Sequence, residues 1–338
     1  GLRRSGKTVF TTALVHHLLD GHDLPFVAAV HEDRYQGARL LPVRGPAFPF
    51  EGFRRVMSGE VPGWPQATDR LTTLKLELRF RATGYVQRWV APTGSLLLEI
   101  IDYPGEWLLD LPLLAMDYGQ FSAEALARDA REPRASVAGE WRAALAGLTP
   151  TTDPAVLVET YRRYLRRVQQ ELQLSIVQPG RLVTADPDPD TGFAPLPPEA
   201  PEPLRLAMAN RFIAYKAQVV EPFYATHFSR FDRQIVLVDL FHALNAGRAH
   251  FTDCQEALET ILESVRYGSN SLLGRLFSPR IERLLFAASK ADHVAANQHA
   301  NLKQLLELMI APARRKARFV GLKTDVLALA ALRATDTV

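Results

Sequence analysis

The sequence predicts an α/β chain, a sheet with helices on both faces interrupted by a mainly helical stretch. Three observations predict it. A glycine-containing turn at residues 1–8 runs straight into an amphipathic helical pattern. Short apolar runs of strand length recur at 96–101, 234–239 and 283–288. From Trp107 to about Phe231 the apolar spacing turns helical instead. Composition agrees: 47% hydrophobic and 23% charged residues in 338 exclude disorder, collagen and coiled coil as overall descriptions. No apolar stretch approaches the roughly 18 residues of a membrane-crossing helix. The single cysteine, Cys254, excludes an internal disulfide and fits a reducing compartment. Forty cations against 37 anions leave +3, so bulk charge points to no nucleic-acid partner.

Residues Gly1-Leu2-Arg3-Arg4-Ser5-Gly6-Lys7-Thr8 match G-x-x-x-x-G-K-[ST] without a mismatch. In such a P-loop the glycines let backbone N–H groups turn inward around phosphates, and the following helix adds its positive dipole end. The binding stretch is Gly1, Arg3, Arg4, Ser5, Gly6, Lys7, Thr8 and Val9. Lys7 is expected to reach the β- and γ-phosphates, and the Thr8 hydroxyl to ligate Mg²⁺. Val9, Phe10, Ala13, Leu14 and Leu18 form one helical stripe, closed by Gly21. His16 and His17 on that helix have no metal-type partner spacing and read as structural. The chain opens on the motif itself, without methionine, so it reads as a fragment whose preceding strand lies upstream.

Leu74–Phe80 alternates apolar and charged residues with period two, the mark of a half-exposed strand at or near a sheet edge. Just before it stand Arg70, Thr72 and Thr73. In switch-type NTPases a threonine here completes the Mg²⁺ shell, and either Thr72 or Thr73 suits. Arg70 is placed to reach the transferring phosphoryl group. The run 96–101 reads as a buried strand ending at Asp102-Tyr103-Pro104-Gly105-Glu106. D-x-x-G alone is common, but ligands of open α/β sheets bind at the C-terminal ends of strands. Asp102 is then expected to hold Mg²⁺ through water, and the Gly105 N–H to touch the γ-phosphate. Glu106 stands where switch-type GTPases carry the water-positioning glutamine; the γ-phosphate would repel its charge unless metal or Arg70 screens it, and intrinsic hydrolysis is expected to be slow.

Strand 283–288 leads into Ser289-Lys290-Ala291-Asp292, similar to the N/T-K-x-D guanine motif with serine first. The Asp292 carboxylate would accept from guanine N1–H and its 2-amino group, whereas adenine would leave it badly paired. The Lys290 stem would lie against the base, and Ser289 softens the selectivity for GTP over ATP. The last strand, 326–332, ends near Ala334, a candidate backbone donor to guanine O6.

In the helical stretch, Asp153-Pro154 is an N-cap with proline at the first position. Leu157, Tyr161, Tyr164, Leu165, Val168 and Leu172 continue one stripe from there. Arg162, Arg163, Arg166 and Arg167 flank it and read as solvated. Residues 179–203 hold eight of the 23 prolines and read as a loop without regular structure, followed by a helix from Pro203 to about Tyr224. The cluster 314–318 reads as a basic helix C-terminus.

The P-loop, Asp102–Trp107, Gln234–Asp239 and Ser289–Asp292 occur in GTPase order, with a long interruption after Trp107. In this combination the chain resembles the YcjX family of P-loop NTPases, bacterial stress-associated GTP-binding proteins. The resemblance implies a GTPase-like core carrying a helical insertion, and GTP/GDP with Mg²⁺ as ligands. It also implies a link to envelope stress and a membrane-protein partner of the YcjF type. A cytoplasmic place, with or without attachment at the inner membrane, goes with it, as does a chain continuing past Val338. The expected division is 1–106 and 231–338 for the core and 107–230 for the insertion. Two rival readings stay open: an ATPase, and a nucleotide-dependent docking module with negligible turnover. Binding of anionic membrane through the helical arginines is a third.

Overall fold

The computed structural model describes residues 2–21, 24, 27–66, 68–82, 93–184, 190–264, 281–318 and 322–332, with the side chains of 316–318 excepted. The described strands form two three-stranded sheets, and the chain divides into two compact units. One unit comprises Arg4–Pro104, Ser289–Asn297 and Leu329–Val338. The other comprises Gly1–Arg3, Gly105–Ala288 and Gln298–Ala328. Gly1 and Ala334 lie outside the described residues.

The first of these units is built on an antiparallel sheet of β1 (Tyr35–Leu41), β2 (Thr72–Arg81) and β3 (Thr93–Asp102). Helix α1 (Lys7–Asp20) starts at Gly6, φ +82°, and stops at Gly21, φ +73°, whose N–H bonds the His17 carbonyl. Both turns need left-handed backbone, which glycine adopts without a Cβ clash. Val15 and Leu18 of α1 join Leu74, Leu76 and Leu78 of β2 in one apolar core with Phe48 and Phe50. Period-two alternation is therefore real in β2, but the strand is the middle one, bonded on both sides, and not an edge. The exposed strand is β3: Leu96 and Leu97 are 54% and 59% exposed, where a buried run was expected. An apolar run of strand length cannot by itself distinguish an open face from a covered one. β1 and the helix Phe50–Ser58 are elements the sequence pattern did not announce.

In the other unit β4 (Arg233–Val238), β5 (Arg283–Ala288) and β6 (Lys323–Ala328) run parallel and in register, so that Val238, Ala288 and Ala328 align. Parallel strands need crossovers, and the helices Arg248–Ser264 and His299–Arg318 lie in the two connections. β6 begins three residues before the run read from sequence. Leu2 donates its N–H to the Leu237 carbonyl of β4. Arg314 on the last helix donates to the hydroxyl and carbonyl of Thr324, which anchors that helix to β6.

The helical stretch in this unit follows the expected caps. The Asp153 side chain accepts from the Ala155 N–H, and the helix Pro154–Gln170 buries Leu157, Tyr161, Tyr164, Leu165 and Val168. It ends before Leu172, so that residue is no part of the stripe as a helical position. Arg162 is not solvated: it is buried, and its Nε donates to the Leu182 carbonyl. Arg163 pairs with Glu140 and Arg167 with Glu171 at the surface. Within 179–203 the chain forms the short helix Gly180–Thr184, and Phe193, Ala194 and Leu196 are buried. Phe193 packs edge-on to Phe121, Phe212 and Tyr215, which anchors its own part of the proline-rich segment without a long helix. The helix expected from Pro203 begins at Glu202 and changes to a π-helical turn at Lys216–Val220.

Candidate functional site

Around the P-loop, Arg4 at φ +58° and Gly6 at φ +82° bend the backbone ahead of α1. Ser5 and Thr8 are buried, Lys7 and Val9 half-buried. The Thr12 hydroxyl donates to the Thr8 main-chain carbonyl, while the Thr8 hydroxyl has a partner of its own. That partner is Thr68, 3.0 Å away, and the Thr68 hydroxyl donates to Asp102 Oδ2 at 2.7 Å. The chain Thr8–Thr68–Asp102 thus gathers two hydroxyls and one carboxylate.

Asp102 is the last residue of β3, opposite Thr72 in the β2 register. Burial raises its carboxyl above the ordinary aspartate value, opposed by the Thr68 hydroxyl and the positive charge of Lys7. Hard oxygens of this kind suit Mg²⁺, which favours one or two carboxylates, hydroxyls, water and substrate phosphate. Among the described residues no group of three or more His, Cys, Asp or Glu side chains gathers to hold an ion. The residues therefore fit an ion that draws most of its shell from hydroxyls, phosphate and water.

The threonines singled out from the sequence sit differently. Thr72 is buried in β2, and the Thr73 backbone is occupied on both sides, its N–H by the Pro46 carbonyl and its carbonyl by the Phe48 N–H. Thr68, in an irregular stretch four residues before β2, is the one joined to Thr8 and Asp102. Arg70 is 77% exposed, with Asp69 as its ion-pair partner at 3.7 Å.

Ser289 is buried directly after β5, and Lys290 takes a left-handed conformation, φ +59°. That kink starts the short 3₁₀ turn Ala291–His293, on which Asp292 stands half-buried. The Ala291 N–H bonds the Leu329 carbonyl, so the turn is tied to the segment just after β6.

Glu106 lies within the other unit, and it is not loose. Its Oε1 accepts from Gln169 Nε2 at 2.9 Å and lies 3.7 Å from Arg3 Nε. Arg3 Nη1 in turn donates to the Gln169 carbonyl at 3.3 Å. Gly105 is buried beside it. Gly180 presses on the same residue: a Cβ there would stand 2.5 Å from the Glu106 carbonyl oxygen. Further along, Gln178 donates to the Leu109 carbonyl, and Asp110 accepts from the N–H groups of Gly180 and Arg181 and from the Tyr215 hydroxyl. Burial pushes the Asp110 carboxyl up to about 6. The Arg181 guanidinium lies 3.7 Å over the Trp107 ring. Gln169, Gly180 and Thr68 are the residues that sequence reasoning missed. Their partners are 34 to 166 positions away in sequence, and no motif marks them.

The profile of the YcjX-like family, DUF463, matches residues 1–338. The chain belongs to the YcjX-like family. Two curated relatives span nearly all of it. "Ras-like GTPase YcjX" of Escherichia coli K12 is 39% identical over 362 aligned residues, covering 100% of this chain and 77% of the relative. "Ras-like GTPase YcjX" of Shewanella oneidensis is 33% identical over 368, covering 99% of this chain and 76% of the relative. The fold is accordingly the GTPase-like α/β P-loop fold with its helical interruption. Among the described residues of this YcjX-like chain, no helix is long and apolar enough to cross a membrane.

Proposed function

We propose that this YcjX-like chain binds GTP with Mg²⁺ and hydrolyses it to GDP and phosphate, acting as a slow nucleotide switch. The observation that carries the reading is the hydroxyl–hydroxyl–carboxylate chain Thr8–Thr68–Asp102 beside the P-loop. The GTPase names of the two relatives support it. Lys7 and the loop N–H groups of Arg3 to Val9 would hold the phosphates. Thr8 and Asp102 would hold Mg²⁺, with Thr68 rather than Thr73 as the third oxygen, and the ion would neutralise charge on the β- and γ-oxygens. Ser289, Lys290 and Asp292 would read guanine. In this reading residues 107–230 form an insertion interrupting the nucleotide core, and the switch serves a stress- or envelope-related pathway.

In the reaction a water oxygen bonds to the γ-phosphorus while the bond to the β–γ bridging oxygen breaks. The electron pair leaves on GDP and the water's proton ends on the released phosphate. Glu106 would orient that water. Arg3 supplies a cation 3.7 Å from its Oε1. A docking module with negligible turnover is the second reading, favoured by the fastening of Glu106 to Gln169 and Arg3.

The test is a titration of GTP, ATP and XTP with Mg²⁺ against the wild type and Asp292→Asn. GTP preference in the wild type and a gain of XTP in the variant are expected. Equal binding of ATP, unchanged by the substitution, would replace the guanine reading with an ATPase. Release of phosphate, measured on the same samples, separates the switch from the docking module.

A further inference from the structure

We propose that the starting ends of the parallel strands carry an anion site of their own, in which Arg283, Lys323 and Thr324 hold a phosphate group borne on a hydroxylated molecule. The site lies wholly within one compact unit, at the other end of the strands from Val238, Ala288 and Ala328. It does not depend on the nucleotide reading. The register sets Arg233 of β4 beside Arg283 of β5, and Arg283 beside Lys323 of β6. In-register residues of parallel strands share a face, and neighbouring strands run about 4.8 Å apart, so three cations stand in one row. The alternate rows, Gln234–Leu284–Thr324 and Val236–Phe286–Val326, are buried. The cations are exposed on the opposite face, where Ile235 is 39% exposed.

Side-by-side like charges repel, and a carboxylate between them is the usual remedy. Among the described residues no ion pair joins Arg233, Arg283 or Lys323 to a carboxylate. A cavity of about 370 Å³ opens at the same place, lined by Arg283, Leu322, Lys323, Thr324 and Asp325. Thr324 is buried, and its hydroxyl accepts from Arg314 Nε at 2.8 Å, while its carbonyl accepts from Arg314 Nη2 at 2.9 Å. The hydroxyl oxygen is thus fixed, and its proton has no acceptor among the described residues.

The lining therefore offers donors from three side chains: a guanidinium fork, an ammonium and a hydroxyl proton. Phosphate oxygens match that set, since charge-assisted bonds to cations are the strong ones. Asp325 is the exception, an acceptor that would repel a bare anion. A hydroxyl on the ligand would donate to it, and Leu322 would meet the carbon skeleton. A phosphate carrying hydroxyl groups uses every wall, whereas inorganic phosphate uses only some. The volume stands near the lower end of small-molecule pockets, roughly 300–1,000 Å³, which suits a polyol or sugar phosphate. A phospholipid headgroup with free hydroxyls offers the same chemistry.

The test gives the full-length protein inorganic phosphate and glycerol 3-phosphate in a calorimeter, and phosphatidylglycerol–phosphatidylcholine vesicles in a co-sedimentation assay. Saturable binding of glycerol 3-phosphate, tighter than that of phosphate, is expected. Arg283→Gln and Lys323→Gln should each weaken it about ten-fold or more, the scale of one lost charge-assisted hydrogen bond. Asp325→Ala should tighten inorganic phosphate and erase the advantage of glycerol 3-phosphate over it. Lys7→Ala, in the phosphate loop, should change neither. Arg283, Lys323 and Asp325 are exposed, so the variants should melt as the wild type does. Binding to vesicles alone, lost in the same two cation variants, assigns the phosphate to a lipid headgroup; binding in solution assigns it to a free ester. Binding that survives Arg283→Gln and Lys323→Gln overturns the proposal, and its loss in Lys7→Ala alone moves the anion to the phosphate loop. No saturable binding in any of the three arms overturns it as well.

Discussion

The Tyr215 hydroxyl donates to the Asp110 carboxylate across 2.6 Å, four residues beyond Glu106. Burial of that carboxyl raises it from 3.8 to about 6 despite the hydrogen bonds of Tyr215, Gly180 and Arg181. The folded chain therefore holds the Asp110 proton more tightly than the unfolded chain does. Its contribution to stability is fully present below the unfolded value and is lost as pH rises toward about 6, where it levels off. The loss is on the order of 3 kcal/mol, the size of a shift of about two pH units. Urea melts between pH 4 and 7 should show this slope in the wild type. Asp110→Asn should be less stable at low pH but flatter across the window; an equally steep variant would assign the slope to other groups.

Thr68 should matter and Thr73 should not. Thr68→Val removes the hydroxyl that joins Thr8 to Asp102 while keeping the β-branched shape. We expect the Mg²⁺ concentration needed for half-maximal GTP hydrolysis to rise by about ten-fold or more, as when other supports of a metal site are removed. Thr73→Val should leave that midpoint unchanged, because among the described residues Thr68, and not Thr73, hydrogen-bonds Thr8 and Asp102. The reverse ranking in a Mg²⁺ titration would return the role to Thr73.

Gly180→Ala is the smallest change with a large expected effect. The added methyl would stand 2.5 Å from the Glu106 carbonyl oxygen and 2.8 Å from its carbonyl carbon. Backbone cannot rotate aside as a side chain can, so we expect a loss of about 1–3 kcal/mol together with reduced turnover. A melting temperature equal to wild type would show that the two segments separate freely.

Arg134 is a buried cation bonded to the Ile176 carbonyl and to Asp253 at 3.2 Å, with Asp129 at 3.9 Å. Arg134→Leu leaves two buried carboxylates without it and should cost about 3–5 kcal/mol. Adding Asp253→Leu should recover part of that loss, since the unpaired charge is then gone. Denaturant midpoints of the single and double variants decide it.

Much of the core was legible in the residues. The ends of α1 follow from Gly6 and Gly21, β5 follows from an apolar run with a charged start, and Asp153-Pro154 marks a helix start by its own chemistry. What escaped depends on distant partners. β1 carries Gly37 at φ +104° and a register shift between Tyr35 and Gly37, which erase the period-two signal a strand normally shows. Thr68 looks like any loop threonine until Asp102, 34 positions later, is brought to it. In sequence Arg162 looks solvated, because charge on a helix flank is usually wet; the Leu182 carbonyl, supplied by a different helix, is what lets it be buried.

Trp107 also gives the molecule a spectroscopic consequence. Its ring lies under the Arg181 guanidinium at 3.7 Å, meets Phe223 edge-on at 5.5 Å, and its indole N–H points to the Thr184 hydroxyl at 3.4 Å. Indole emission responds to a stacked cation and to the polarity around the ring. Because Trp107 directly follows Glu106, a backbone rearrangement that carries both residues away would unstack this ring. The chain thus has an optical reporter one residue from its proposed catalytic carboxylate, readable without a label.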